Sequence, residues 1–359
     1  MLTDAAGGAE RIAAMLANGL ARRPGWSVDY RVLGRRETPS FVSEELDPVI
    51  RPWFGPATSP LAGLLGLPSA LAGRRADLVF TTHLHTNAMV SVLRRLGLLR
   101  AARLVTREST TLFDRYGGVR GAVYRMLYRL YGGQDMVVVQ TGYMGGHVAP
   151  HLPRAARGRI VTLPNPVDLD SIDRTAARPL VPAIADRLRG RVNVLVCGRL
   201  IPVKRPRVAL AAFAEARRRT TSDLQLVFAG EGTEREALEA AAGDMGLEDH
   251  VAFLGRQSNP HAIMRACDYG LLTSSREGFP NVILEMMAAG TRAVVMTPCA
   301  GDLDGLAGVT VTADFEPASL ADALVQVIRS GVDRRDLYRS IVAGRGVDPY
   351  LDRLLGEVS

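Results

Sequence analysis

Residues 271–290 read LLTSSREGFPNVILEMMAAG and hold two carboxylates, Glu277 and Glu285, eight positions apart. Pro280 suits a first helical position and Gly290 a helix end, so the spacing predicts a helix over Asn281–Ala289. Glu277 then lies on the loop in front of that helix, and Glu285 in its second turn. Gly278 permits close backbone approach, while the first amides of a helix attract anions. Carboxylates that accept from hydroxyls, beside amides that donate to phosphate, suit a ligand carrying both groups, as a nucleotide-sugar does. The plainer alternative is two solvated acids near a helix start, where acids are favoured anyway.

A second stretch, residues 195–205, reads LVCGRLIPVKR. A buried strand ends at Gly198, and Arg199 and Lys204 project from the loop that follows. Ligands of open α/β sheets sit beyond the carboxyl ends of strands, where two fixed cations would neutralise a diphosphate. Alone, this stretch reads more simply as an exposed basic loop. Lys204 nevertheless stands out, because 43 of the 44 basic residues are Arg and it is the single Lys. A third stretch, residues 82–87 (THLHTN), follows a strand end. In an extended segment His83 and His85 would share a side, so the residues alone do not choose between them.

These residues need elements to hold them. Apolar β-prone runs at 77–82, 103–106 and 136–140 read as buried parallel strands, with helical patterns at 87–99 and 120–131 between them. The second half repeats the theme at 193–197, 225–229, 251–254, 269–273, 293–296 and 309–311, with helices such as 207–218 and 233–245. Such alternation over 359 residues predicts two parallel α/β domains, divided after the LPNPVD of 163–168. The boundaries are 1–165 and 166–348. Only four residues precede the segment AAGGAE at 5–10, so the strand expected before such a glycine loop has either been lost by truncation or start-site choice, or the sheet is built without it.

Composition narrows the class. Hydrophobic residues make up 47% and charged residues 23%, a globular balance. The net charge of +7 is unevenly spread: residues 1–165 hold 21 Arg against 11 acids, and the remainder sums to −3. The basic half suggests an anionic partner, either nucleic acid, a membrane surface or a phosphorylated substrate. No aromatic platform or recognition motif for nucleic acid accompanies it. Cys197, Cys267 and Cys299 form no disulfide framework or zinc motif, which points to a reducing cytoplasm. No segment is long and apolar enough to cross a bilayer, so membrane contact would be peripheral. Two stretches would serve it: 61–73 followed by Arg74 and Arg75, and 120–131, whose Arg125/Arg129 and Tyr124/Tyr128 form basic and aromatic stripes.

EGFPNVILEMMAAG resembles the Glu-x7-Glu motif of retaining glycosyltransferases of family 4, and GRLIPVKR resembles the same family's diphosphate-binding loop. AGEGTEREAL at 229–238, VAFLGR at 251–256, LPNPVD at 163–168 and GGAER at 7–11 are similar to its other landmarks, in the same order. The resemblance implies a GT-B fold of two Rossmann-like domains with an interdomain cleft, the last helix (349–358) returning to the first domain. It implies that Arg199 and Lys204 hold the donor diphosphate, that Glu277 meets the transferred sugar, and that Glu285 meets the ribose. Gly278, Phe279 and Asn281 would line the sugar and phosphate site, Gly255 and Arg256 would lie by the base, and Gly7 and Gly8 would approach the phosphate or acceptor. Alignment through Asn87 favours His85 over His83 near the reacting sugar.

The expected activity is therefore retaining transfer from a nucleotide-sugar, a UDP-sugar first, to a glycan or lipid-linked acceptor in bacterial surface polysaccharide or lipopolysaccharide synthesis. No cofactor or metal is expected; Asp302-Leu303-Asp304 offers a D-x-D pattern but lies where the family has a glycine-rich loop. Two alternatives are a GT-B sugar-nucleotide epimerase, against which the Glu-x7-Glu placement counts, and a nucleotide-sugar-binding protein without transfer.

Overall fold

A computed structural model describes residues 4, 7–36, 40–112, 116–300 and 306–356. They fall into two compact units, one of residues 1–166 with 347–359 and one of residues 167–346. Asp302 and Asp304 lie outside the described residues, so the D-x-D pattern has no structural account.

The first unit carries β1 (Arg31–Gly34), β2 (Trp53–Ala57), β3 (Arg75–Thr82), β4 (Arg100–Arg107), β5 (Met136–Val139) and β6 (Ile160–Thr162). Strands β3-β4-β5-β6 form one parallel sheet in that order, and β1-β2 a separate parallel pair. Strand β5, MVVV, is buried at every position, as a strand covered on both faces must be. Its alternation splits the core. Met136 and Val138 meet Ile12 and Leu16 of the helix Gly8–Ala21, together with Tyr350, Leu351 and Leu354 of the helix Val347–Leu355. Val137 and Val139 face the other way, onto Leu84, Ala88, Tyr128 and Tyr131. The two helices on the first face fit closely: a side chain at Gly19 would stand 2.6 Å from Val347. Among the described residues the helix Gly8–Ala21 is the first element, with β1 following it. Strands β1, β2 and β6 have no counterpart in the sequence reading.

The second unit holds β7 (Val192–Cys197), β8 (Leu224–Ala229), β9 (Val251–Gly255), β10 (Tyr269–Leu272), β11 (Ala293–Met296) and β12 (Val309–Val311). All pair in parallel, in the order β12-β11-β10-β7-β8-β9. The chain builds outward from β7 to β9, crosses back, and builds the other way from β10. The direction reverses between β7 and β10, the point at which open α/β sheets leave a crevice at their carboxyl ends. One face is covered by the helix Pro206–Arg218, whose Leu210 and Phe213 are buried, and the other by the helix Asn281–Ala289. That second helix buries Ile283, Leu284, Met286 and Met287 and stops at Gly290, which adopts φ 101°. A bridge between Val167 and Gly346 ties the two ends of the unit together.

Candidate active site

The loops that leave β7 and β10, the strands flanking the reversal, are joined by side chain and backbone alike. Lys204 ends the single turn Pro202–Lys204, and its Nζ donates to Glu277 Oε1 at 2.6 Å. Ser274 Oγ donates to the same oxygen at 2.5 Å. Ser275 N donates to Val203 O at 2.9 Å, and Thr273 Oγ1 to Lys204 O at 2.9 Å, so the two loops are tied to each other. Glu277 N donates in turn to Cys299 O at 2.8 Å, which anchors the carboxylate to the loop after β11 as well. The Lys204 side chain is 25% exposed and that of Glu277 13%, so solvent still reaches the pair but screens it less than a surface ion pair.

The backbone beside the pair is tightly specified. Arg205 adopts φ 49°, a left-handed conformation that costs a side-chain-bearing residue on the order of 1–2 kcal/mol, and caps the helix Pro206–Arg218 from it. Gly230 passes so close to the loop after β7 that a Cβ there would lie 1.8 Å from Gly198 O, and one at Gly232 would lie 2.2 Å from Leu200 O. The loops after β7 and β8 thus run in contact, backbone on backbone. Burial, with Glu277 nearby, pushes the Cys299 thiol up to about 12, leaving it a neutral packing group.

Of the residues predicted for this unit, Lys204 and Glu277 are in direct contact, Arg199 is exposed on the same loop as Lys204, and Gly278 follows Glu277. Phe279 is buried in the apolar core, so only its backbone is available to a ligand. Asn281 and the half-buried Glu285 lie on the helix that follows. Gly255, at φ 70°, and the exposed Arg256 end β9, on the far side of β8 from β7.

The first unit has its own polar cluster, and here the extended reading of 82–87 is corrected. The chain turns into the helix Leu84–Arg95 directly after His83, which takes φ 80°. His83 and His85 therefore point in different directions. His83 Nδ1 lies 2.9 Å from Thr82 O, and its Nε2 3.2 Å from Glu10 Oε1. Both ring nitrogens thus face oxygen atoms, Thr82 O on one side and the Glu10 carboxylate on the other. His85 sits in the first helical turn, exposed, with its ring edge-on to Tyr124 at 6.1 Å between centroids. Partial desolvation, and then the neighbouring His83, lower its pKa from the usual value of 6.5. Gly7 precedes the helix Gly8–Ala21, and a Cβ there would stand 2.2 Å from Glu10 Oε2, so the glycine leaves space for that carboxylate.

Sequence reasoning missed Glu10 and the buried network behind it. Glu108 is 2% exposed and accepts from Tyr131 Oη at 2.5 Å, Tyr128 Oη at 2.8 Å and Asn87 Nδ2 at 3.1 Å. Asn87 Nδ2 also donates to Arg107 O, and Arg107, equally buried, donates to Asn165 Oδ1 at 2.5 Å. Burial raises the Glu108 pKa against the opposing pull of those donors, and lowers that of Arg107. The available signal was the charged pair Arg107-Glu108 at the end of a buried strand, a place where charge must find partners. Among the described residues no three His, Cys, Asp or Glu side chains cluster closely enough to hold a metal ion.

Two parallel α/β units, the second with a paired cation and carboxylate at its switch point, have the GT-B architecture. Residues 6–171 match the family described as Glycosyltransferase Family 4, and residues 191–330 the one described as Glycosyl transferases group 1. Both units are therefore glycosyltransferase domains. Among curated relatives, the chain is 34% identical over 133 residues to N-acetylgalactosamine-N,N'-diacetylbacillosaminyl-diphospho-undecaprenol 4-alpha-N-acetylgalactosaminyltransferase of Campylobacter jejuni, covering 37% of this chain and 33% of that protein. It is 30% identical over 203 residues to the putative glycosyltransferase EpsF of Bacillus subtilis, covering 54% and 50%. The matches thus span half or less of these two relatives' lengths. Among solved structures, Anabaena Alr3699/HepE in complex with UDP superposes with a TM-score of 0.78 at 17% identity, over 99% of this chain and 97% of that one. The lipopolysaccharide outer core galactosyltransferase WaaB gives 0.72 at 16% identity, over 99% and 98%.

Proposed function

We propose that the chain transfers a sugar from a nucleotide-sugar, a UDP-sugar in the first instance, to a glycan or lipid-linked acceptor with retention of anomeric configuration. The observation that carries this reading is the Lys204–Glu277 contact, which holds a cation and a carboxylate together at the sheet's switch point. A sugar diphosphate asks for both: Lys204, with Arg199 on the same loop, meets the phosphates, and Glu277 accepts from the sugar hydroxyls. Gly278 and the backbone of Phe279 and Asn281 line the sugar, Glu285 takes the ribose, and Gly255 and Arg256 border the base. The diphospho-undecaprenol in the name of the Campylobacter relative supports a lipid-linked acceptor, and the UDP in the Anabaena complex supports a uridine nucleotide donor.

In the reaction the bond from the anomeric carbon to the diphosphate breaks and a bond to the acceptor oxygen forms on the same face. The acceptor proton passes to the departing diphosphate. Protein catalysis is then chiefly electrostatic, with Lys204 and Arg199 stabilising the negative charge as it develops. In the first unit Gly7 and Gly8 serve the phosphate or acceptor, and His85 the reacting sugar. A calorimetric screen of UDP-, GDP- and ADP-sugars against the purified chain, followed by donor hydrolysis without acceptor, tests the reading. Saturable binding of one of them is expected; binding of none would overturn it.

A further inference from the structure

The helix Gly118–Arg129 presents an aliphatic stripe to solvent. Val119 is 82% exposed, Val123 42%, Met126 55% and Leu130, just past the helix end, 37%. Their spacing of four, three and four places all four on one helical face. The face continues onto its neighbour. The helix Leu84–Arg95 packs beside Gly118–Arg129, Arg95 Nη1 donates to Leu130 O, and the turn that follows exposes Leu96 and Leu98. This differs from the aromatic stripe expected from the sequence: Tyr128 is buried with its hydroxyl on Glu108, and Tyr124 lies edge-on to His85 and Tyr116.

The two helices, Leu84–Arg95 and Gly118–Arg129, carry charge of one sign: five arginines and no acid. Residues 84–100 contain no acid, and residues 116–167 contain one, Asp135. Asp135 is itself engaged by the Arg94 guanidinium and by Leu104 N. Arg95, Arg120, Arg125 and Arg129 are exposed on or beside the same helices. A strip of aliphatic side chains bordered by guanidinium groups, with no carboxylate on the described residues of the two helices, complements a surface that is apolar beneath and anionic above. We infer that this face docks on an anionic lipid bilayer, with Val119, Val123, Met126 and Leu130 entering the acyl boundary and the arginines on the phosphates. The inference is independent of sugar transfer, since it uses only unit-one surface residues outside the proposed site.

Co-sedimentation of the full chain with phosphatidylcholine vesicles, with and without phosphatidylglycerol, tests it at low and high salt. Binding to the phosphatidylglycerol vesicles is expected, weakening as salt rises. The V119D/M126D double variant should bind at least about tenfold more weakly while keeping its melting temperature, because both side chains are at the surface. Should that variant melt early, R120E/R129E serves instead and is expected to lose the preference for phosphatidylglycerol. No binding to either vesicle, or equal binding by both variants and the parent, would overturn the inference. So would a double variant that merely dissociates a dimer, or a parent that binds DNA and ignores vesicles.

Discussion

At the scale of single residues, the pair formed by Lys204 and Glu277 makes a prediction that few chains permit. Lys204 is the only lysine, so an amine-selective reagent has one side chain to modify besides the α-amino group. If Nζ meets the donor diphosphate, UDP should protect Lys204 from acylation, read by peptide mass spectrometry; equal labelling with and without UDP would place the nucleotide elsewhere. Glu108 makes a second prediction, about pH. Burial raises its folded pKa above the usual 4.5, so the folded state holds a proton that the unfolded chain releases. Stability from this group is therefore present below the unfolded value and lost as pH rises through the folded one. Acidification from above the folded value down to the usual 4.5 should stabilise the wild type more than Glu108→Gln in paired denaturant melts, and parallel profiles would contradict this. These residues also differ in how legible they were. Lys204 and Glu277 carry their chemistry on loops and could be picked out by type and position. Glu10 and the contacts of Glu108 could not, because a buried carboxylate is recognised by partners elsewhere along the chain, His83 for Glu10 and Tyr128 and Tyr131 for Glu108; the adjacent charges Arg107-Glu108 were the one local signal.

At the scale of elements, the strands covered on both faces were readable, since β5 and β11 are continuous apolar runs and β8 is interrupted only by Gln225. Strand β2, WFGPA, was not: it contains Gly and Pro and fully buries only Gly55, so no period or composition marks it. The helix Asn281–Ala289 was legible to the residue because Gly290 ends it. Two glycines separate local conformation from close packing. Gly290→Ala meets nothing within 4 Å and should cost only the left-handed backbone, on the order of 1–2 kcal/mol. Gly230→Ala drives a methyl onto Gly198 O, where backbone cannot yield cheaply, and should cost about 3 kcal/mol or more. Denaturant unfolding of the two variants checks the order, and equal losses would mean the loops after β7 and β8 are not in contact.

At the scale of the whole molecule, the net charge of +7 divides into a basic first half and a slightly acidic second half. The first half concentrates its arginines around an exposed aliphatic face. In the second, Arg199 and Lys204 stand at the carboxyl end of β7, where the sheet reverses direction. The strand order β12-β11-β10-β7-β8-β9 could not be read from the sequence, because periodicity marks strands but not their neighbours. It is this order that brings Lys204 to Glu277 across 73 residues of chain. The central claim is that Lys204, positioned by Glu277, stabilises the leaving diphosphate of a nucleotide-sugar. Its most direct test is the turnover of Lys204→Ala and Glu277→Ala with the donor found by binding, alongside their melting temperatures. A fall in kcat on the order of 10²–10³ for Lys204→Ala, with the fold intact, is the predicted result. Near-normal transfer by either variant would contradict the account.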